Sequence, residues 1–227
     1  MTSDPILLEE THAGVRCLRM NRPETRNALS NDLIRALIRG LDSASSDEDV
    51  RVVALTGEGG AFCSGADLSP RKPGDPPPDS LEATADLVVE LVQTMRVGCE
   101  KPVIAGIDGI AIGAGLSLAM CADMRMASSR ARFHPGYARI GTSPDAGLTW
   151  TLPAVLGHER AMRFFLRPMM HDADAMHRRT SRAGESPALR LPSVDPQRRC
   201  GCERRYGGGH QCDRTAKRKR WYGIQRQ

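Results

Sequence analysis

Apolar residues cluster at 6–8 and again through 15–20, with Ala13 and Gly14 between them; this predicts a short antiparallel strand pair closed by a turn. A polar loop, Asn21-Arg22-Pro23-Glu24, follows. Ser30 then stands as an N-cap before Leu33, Ile34, Leu37, Ile38 and Leu41, whose spacing predicts a helix. Residues 50–56 read as a buried strand, 81–95 as an amphipathic helix with Leu87, Val88, Leu91, Val92 and Met95 on or near one stripe, and 102–107 as a second buried strand. A helix packed closely on that strand is expected over 113–121, a third short strand over 124–127, and helices over 144–156, limited by Pro153, and 159–166. Strands alternating with helices point to an α/β fold with parallel pairing. The stretch 69–78 is rich in proline and sits where a lid would sit.

Composition narrows the class. A chain of 227 residues can bury a core of its own. Its most apolar stretch, 103–122, is interrupted by Asp108 and four glycines, so it reads as a buried strand–turn–helix rather than a membrane span. No leader pattern is visible at the start, and the seven cysteines form no disulfide-like framework, which together suit a soluble protein of a reducing cytoplasm.

Charge divides the chain. Residues 178–227 carry 14 Lys and Arg against 4 Asp and Glu, a net of +10, whereas residues 1–177 carry 18 against 23, a net of −5. We therefore take 1–177 as the core and 178–227 as an atypical, basic, arginine-rich and disordered tail. Its Arg, Pro and Gly bias resembles out-of-frame translation of a GC-rich gene, with a frameshift near residue 177 as the expected cause. Cys200, Cys202, His210 and Cys212 lack zinc-finger spacing, so no metal site is expected there. The run 217–220 is read as a solvated tail rather than a nucleic-acid contact.

The most informative segments are two glycine-rich loops, each following a buried strand. The first ends in Ser64-Gly65-Ala66-Asp67-Leu68; the second, about fifty residues on, is GIAIGAGLS over 109–117. Two such loops can aim two backbone N–H groups at one point, which makes an oxyanion hole. The order of segments, NRPETRNALS (21–30), VVALTGEGGAFCSGADLS (52–69), KPVIAGIDGIAIGAGLSLAMCADMRMAS (101–128) and ARFHPGYARIGTSPDAGLTWTLPAVLGHERAM (131–162), resembles the enoyl-CoA hydratase/isomerase, or crotonase, superfamily over about residues 5–177.

That resemblance implies a spiral of ββα units and a homotrimer or dimer of trimers completed by C-terminal helices. It implies an acyl-CoA substrate, with coenzyme A part of the substrate and no separate cofactor. It places the oxyanion-hole N–H groups on Ala66 and Ala114, the latter in the first turn of a helix whose dipole adds to the field. It lays the substrate along Arg26, Ala28, Ser64, Asp67 and Leu68, with Arg26 meeting the nucleotide phosphates and Asp67 capping the next turn.

The acids depart from the hydratase pattern. The two positions where hydratases of this superfamily carry glutamates hold Ser117 and Tyr137, which line the substrate site in this reading; neither ionises readily near neutral pH. One carboxylate remains at a superfamily position, Asp145, eight residues past Tyr137. Isomerase-type members use an aspartate there to shuttle a proton, and dehalogenase-type members use it as a nucleophile. Without the resemblance, Asp145 would read as the N-cap of the following helix. His134 is a candidate acid or base nearby, Tyr137 could donate a hydrogen bond into the pocket, and Cys63 sits beside the hole with nothing to suggest activation. Other readings stay open: a hydratase with an unusual acid pair, an acyl-CoA-binding remnant without chemistry, and a serine hydrolase using Ser117, whose surroundings fall short of G-x-S-x-G.

Overall fold

A computed structural model of the chain describes residues 4–70, 79–167 and 169–180. The expected lid falls largely, and the basic tail almost wholly, outside the described residues.

Strand β1 (Leu7–His12) pairs antiparallel with β2 (Val15–Met20) across the tight turn at Ala13 and Gly14. From there the sheet grows by parallel addition: β3 (Val52–Gly57) on β2, β4 (Val103–Ile107) on β3 and β6 (Met124–Ala127) on β4, in the order β1-β2-β3-β4-β6. Alternate residues of the inner strands are buried, Val53 and Leu55 on β3 and Val103, Ala105 and Ile107 on β4, as a pleated strand packed on one face requires. Helix α1 (Asn31–Ser46) covers this face with Leu33, Leu37 and Leu41, all at most 1% exposed. Its start is set by Ser30, whose hydroxyl accepts from the Leu33 N–H at 3.3 Å. Helix α2 (Leu81–Gln93) packs on α1 and runs into a wide turn at Thr94–Gly98.

A second, three-stranded sheet was not anticipated. It holds β5 (Ile110–Ile112), β7 (Arg132–His134) and β8 (His171–Asp172) in the order β5-β7-β8. Each turn of the chain contributes one strand to each sheet. Strand β4 leads to β5 and then to helix α3 (Ala114–Cys121); β6 leads to β7; and after β3, Cys63 forms a parallel bridge to Ala111 in place of a full strand. This repeat is the expected ββα winding.

Helices α4 (Leu148–Leu156) and α5 (His158–Leu166) pack on each other, α4 also on α3, and α6 (Ala173–Thr180) follows β8. Helix α4 begins four residues later than its pattern predicts. Ala146 and Gly147 both adopt left-handed backbone angles (φ +46° and +74°) and hold off the helix until Leu148. No helix among the described residues is long and apolar enough to cross a membrane.

Candidate active site

The two glycine loops are locked side by side. Cys63 N donates to Ile110 O at 2.9 Å and Ile112 N donates to Cys63 O at 3.0 Å, so Cys63 and Ala111 lie in register. Three residues beyond each of them stand Ala66 and Ala114. Gly115 rests directly on Cys63: a Cβ at Gly115 would lie 2.4 Å from the Cys63 carbonyl oxygen. Gly65 (φ +107°) faces the other loop, and a Cβ there would lie 2.9 Å from Ile112 O and 3.6 Å from Ala114 N. Any side chain at either position would part the loops.

Both alanine N–H groups are left for a ligand. Leu29 N donates to Gly65 O (2.8 Å) and Asp67 N to Leu29 O (3.1 Å), so parallel pairing turns the N–H of Ala66, between them, to the opposite side. Ala114 is the first residue of α3, whose opening amides have no acceptor within the helix and sit at the positive end of its dipole. Neither N–H has an acceptor among the described residues.

Ala66, Ala114 and Asp145 line one cavity of about 130 Å³. The rest of its wall is mainly apolar, from α1, α2 and α3, including Ile34, Val88, Leu91 and Leu118. Asp145 does not cap α4, which has Gly147 at its N-cap and no side-chain cap bond. Its Oδ1 instead accepts from the Tyr137 hydroxyl at 2.5 Å, and the tyrosine oxygen lies 2.7 Å from Ser117 Oγ. Burial, and next the Asp145 carboxylate, push the Tyr137 hydroxyl above its ordinary range, so it stays protonated.

Residues 10–177 match the family described as enoyl-CoA hydratase/isomerase. The chain belongs to this family. It is 35% identical over 173 residues to the 1,2-epoxyphenylacetyl-CoA isomerase of Escherichia coli strain K12, covering 75% of this chain and 66% of that protein. It is 34% identical over 174 residues to 4-chlorobenzoyl coenzyme A dehalogenase-1 of an Arthrobacter species, covering 76% and 63%. A solved enoyl-CoA hydratase from Mycobacterium avium subsp. paratuberculosis K-10 superimposes with a TM-score of 0.70 at 28% identity, over 79% of this chain and 70% of that one. The chain spans about two thirds or less of the length of the two curated relatives.

The crotonase-type α/β fold of this family thus stands. The placement of individual residues is more mixed. Arg26 and Leu68 are exposed, and Ser64 joins the same strip through Ser64 N to Arg26 O at 3.0 Å. The Ser64 hydroxyl is spent on Thr25 O at 2.9 Å. Ala28, the next residue expected along the substrate, is buried, and its carbonyl accepts from Arg22 Nη1 (2.6 Å) and Ser30 N (3.1 Å). Asp67 accepts from Ser69 N at 3.0 Å and pairs with Arg22 at 2.8 Å, a capping and tethering role. Ser117 and Tyr137 stand next to Asp145. They do not line the cavity; they are buried behind Asp145 and reach it only through hydrogen bonds. His134 is buried, with its carbonyl holding the Gly113 N–H at 3.0 Å. The Cys63 thiol is pushed up to about 12 by burial, so it is inert. Arg22, which ties strip 26–29 to strip 64–67 through Ala28 and Asp67, escaped the sequence reading; a loop arginine carries no pattern of its own.

Proposed function

We propose that the protein isomerises an acyl-CoA thioester by moving a proton within the acyl chain. The Ala66 and Ala114 N–H groups receive the thioester carbonyl oxygen. The Asp145 carboxylate takes a proton from an activated carbon, and the electron pair left behind delocalises onto that oxygen as an enolate. The same carboxyl group then returns the proton to a different carbon, the double bond shifts, and the carboxylate is regenerated. Coenzyme A enters as part of the substrate, with Arg26 placed on the strip that receives it.

One observation supports this reading above the others. A single carboxylate shares a mainly apolar cavity with two donor-ready N–H groups, and the two positions where a hydratase would carry glutamates hold hydroxyls bonded to each other, the tyrosine's also to that carboxylate. Each oxyanion donor is worth ~10²–10³ in rate, and a positioned proton-transfer group ~10²–10⁴.

The test is incubation with short enoyl-CoA and ring-type acyl-CoA substrates in heavy water, followed by mass spectrometry. Deuterium entering the acyl chain without water addition is the expected result, and Asp145→Asn should reduce it at least ~10²-fold. A stable water adduct would move the assignment to hydration. Binding with no exchange would identify an acyl-CoA-binding protein without turnover.

A further inference from the structure

Asp145 sits on a strained and exposed turn. Gly141, Thr142 and Ser143 before it are exposed, Asp145 is itself exposed, and Ala146 after it holds a left-handed angle that a residue with a Cβ adopts only at a cost. The backbone of this turn is tied down: Thr142 N donates to Tyr137 O at 3.1 Å, Leu148 N to Asp145 O at 2.9 Å, and Cys121 Sγ to Ala146 O at 3.5 Å. The carboxylate has one side-chain partner among the described residues, the Tyr137 hydroxyl.

Hydrogen counting fixes the direction of the contacts behind it. A carboxylate only accepts, so Tyr137 gives its single hydrogen to Asp145 Oδ1. Within the 2.7 Å contact Ser117 is then the donor to the tyrosine oxygen, and its one hydrogen goes there rather than to the more distant Gly113 carbonyl oxygen at 3.3 Å. Ser117 is fully buried and Tyr137 is 6% exposed, so water does not compete for either hydroxyl. The chain Ser117 to Tyr137 to Asp145 thus polarises in one direction, toward the carboxylate. It engages Oδ1 and leaves Oδ2 without a hydrogen bond among the described residues.

We propose that Tyr137 is a positioning residue that aims the Asp145 carboxylate into the cavity, and that Ser117 fixes the direction of the tyrosine hydrogen. This rests on Asp145 as the proton shuttle. Tyr137 itself neither lines the cavity nor gives up its proton, so it is not catalytic. Other titratable groups on the neighbouring elements do not replace Asp145 as its partner. Arg139 is on the same turn, His134 ends β7, Cys121 ends α3, and α5 carries His158, Arg160 and the paired Glu159 and Arg163. Asp145 is the charge that bears on the Tyr137 hydroxyl.

Heavy-water exchange kinetics on wild type, Y137F, S117A, D145N and the double variant Y137F/D145N test this, together with thermal melts and low-temperature proton NMR of the full chain. Y137F should lower the kcat of exchange about 10–100-fold, because a misplacement near 1 Å costs on that order, while KM stays within about twofold. S117A, which keeps the tyrosine, should show a smaller loss of the same kind and serves if Y137F does not fold. In the D145N background Y137F should add nothing. A low-field hydroxyl resonance should be present in wild type, absent in Y137F and displaced in D145N. Wild-type kcat in both Y137F and S117A, multiplicative losses in the double variant, or a tyrosine resonance unmoved by D145N would each overturn the proposal. The NMR arm needs no turnover. If D145N exchanges as fast as wild type, the shuttle reading fails, while the resonance still reports whether Tyr137 holds Asp145.

Discussion

The two walls of the cavity are built by different means. The wall assigned to the carbonyl oxygen in the proposed reaction is made of backbone: Ala66 and Ala114 present N–H groups, and their side chains matter little. That wall is held by the Cys63–Ala111 bridge and by Gly115 packed without a gap on Cys63. The other wall presents a side chain, Asp145, from an exposed turn, steadied by one hydroxyl. A backbone donor cannot leave its place unless the fold moves, so placing it costs little conformational entropy beyond folding itself. A carboxylate on a turn has rotamers to lose and needs a partner to choose one for it. Chemistry can therefore vary on the side-chain wall while the backbone wall is kept, in keeping with the different reactions named for this chain's relatives.

The largest effect should come from disturbing the backbone wall. Gly115→Ala sets a methyl 2.4 Å from the Cys63 carbonyl oxygen, a backbone atom that cannot swing aside. The loops must part, at a cost of about 3 kcal/mol or a melting point lower by about 6–12 °C. Exchange activity should collapse with it, because the two N–H groups no longer converge. A variant that melts like wild type and still exchanges would show that the loops are not locked as described.

The side-chain wall should answer differently. In D145N the amide oxygen can still accept from Tyr137, so a neutral hydrogen bond replaces a charge-assisted one. The melting point should fall by no more than about 2–4 °C, corresponding to about 1 kcal/mol, while exchange is lost. Melting and activity thus fall together on one wall and separate on the other. A D145N variant that unfolded as readily as Gly115→Ala would erase the distinction.

The same contrast decided what could be read along the chain. The glycine loops were legible because close approach leaves no other residue type acceptable, so the constraint is written into the sequence. Helix α1 and strands β1 to β4 were legible because their apolar spacing is long enough to show a period. Strands β5, β7 and β8 were missed: at two or three residues they have no period, and their pairing is set by the winding of the chain. The start of α4 was misplaced because Ala146 takes a left-handed angle that only its surroundings impose. Asp145 was found through family resemblance, but its partners were not. Spacings of eight and twenty residues to Tyr137 and Ser117 carry no local signal, and a buried hydroxyl looks like any other until its neighbours are known.

The smallest effect should lie at the edge of the backbone wall, where Arg22 and Asp67 join the two strips. Burial disfavours the Asp67 charge, but the Ser69 hydrogen bonds and then the Arg22 guanidinium outweigh it and hold the carboxyl below its ordinary range. A carboxyl whose folded value is lowered contributes stability that is fully present above its unfolded value, near ~3.9, and is lost as pH falls through the folded value. Asp67→Asn removes that contribution, which for a pair so near the surface is at most about 1 kcal/mol. Melting curves of wild type and D67N should therefore differ most near pH 7, by a few degrees at most, and converge as pH falls below about 4. High salt should narrow the gap at pH 7, since a partly exposed pair is screened. Curves that instead diverged toward acid would mean that Asp67 is protonated in the folded protein at neutral pH, and that Arg22 holds the two strips through the Ala28 carbonyl alone.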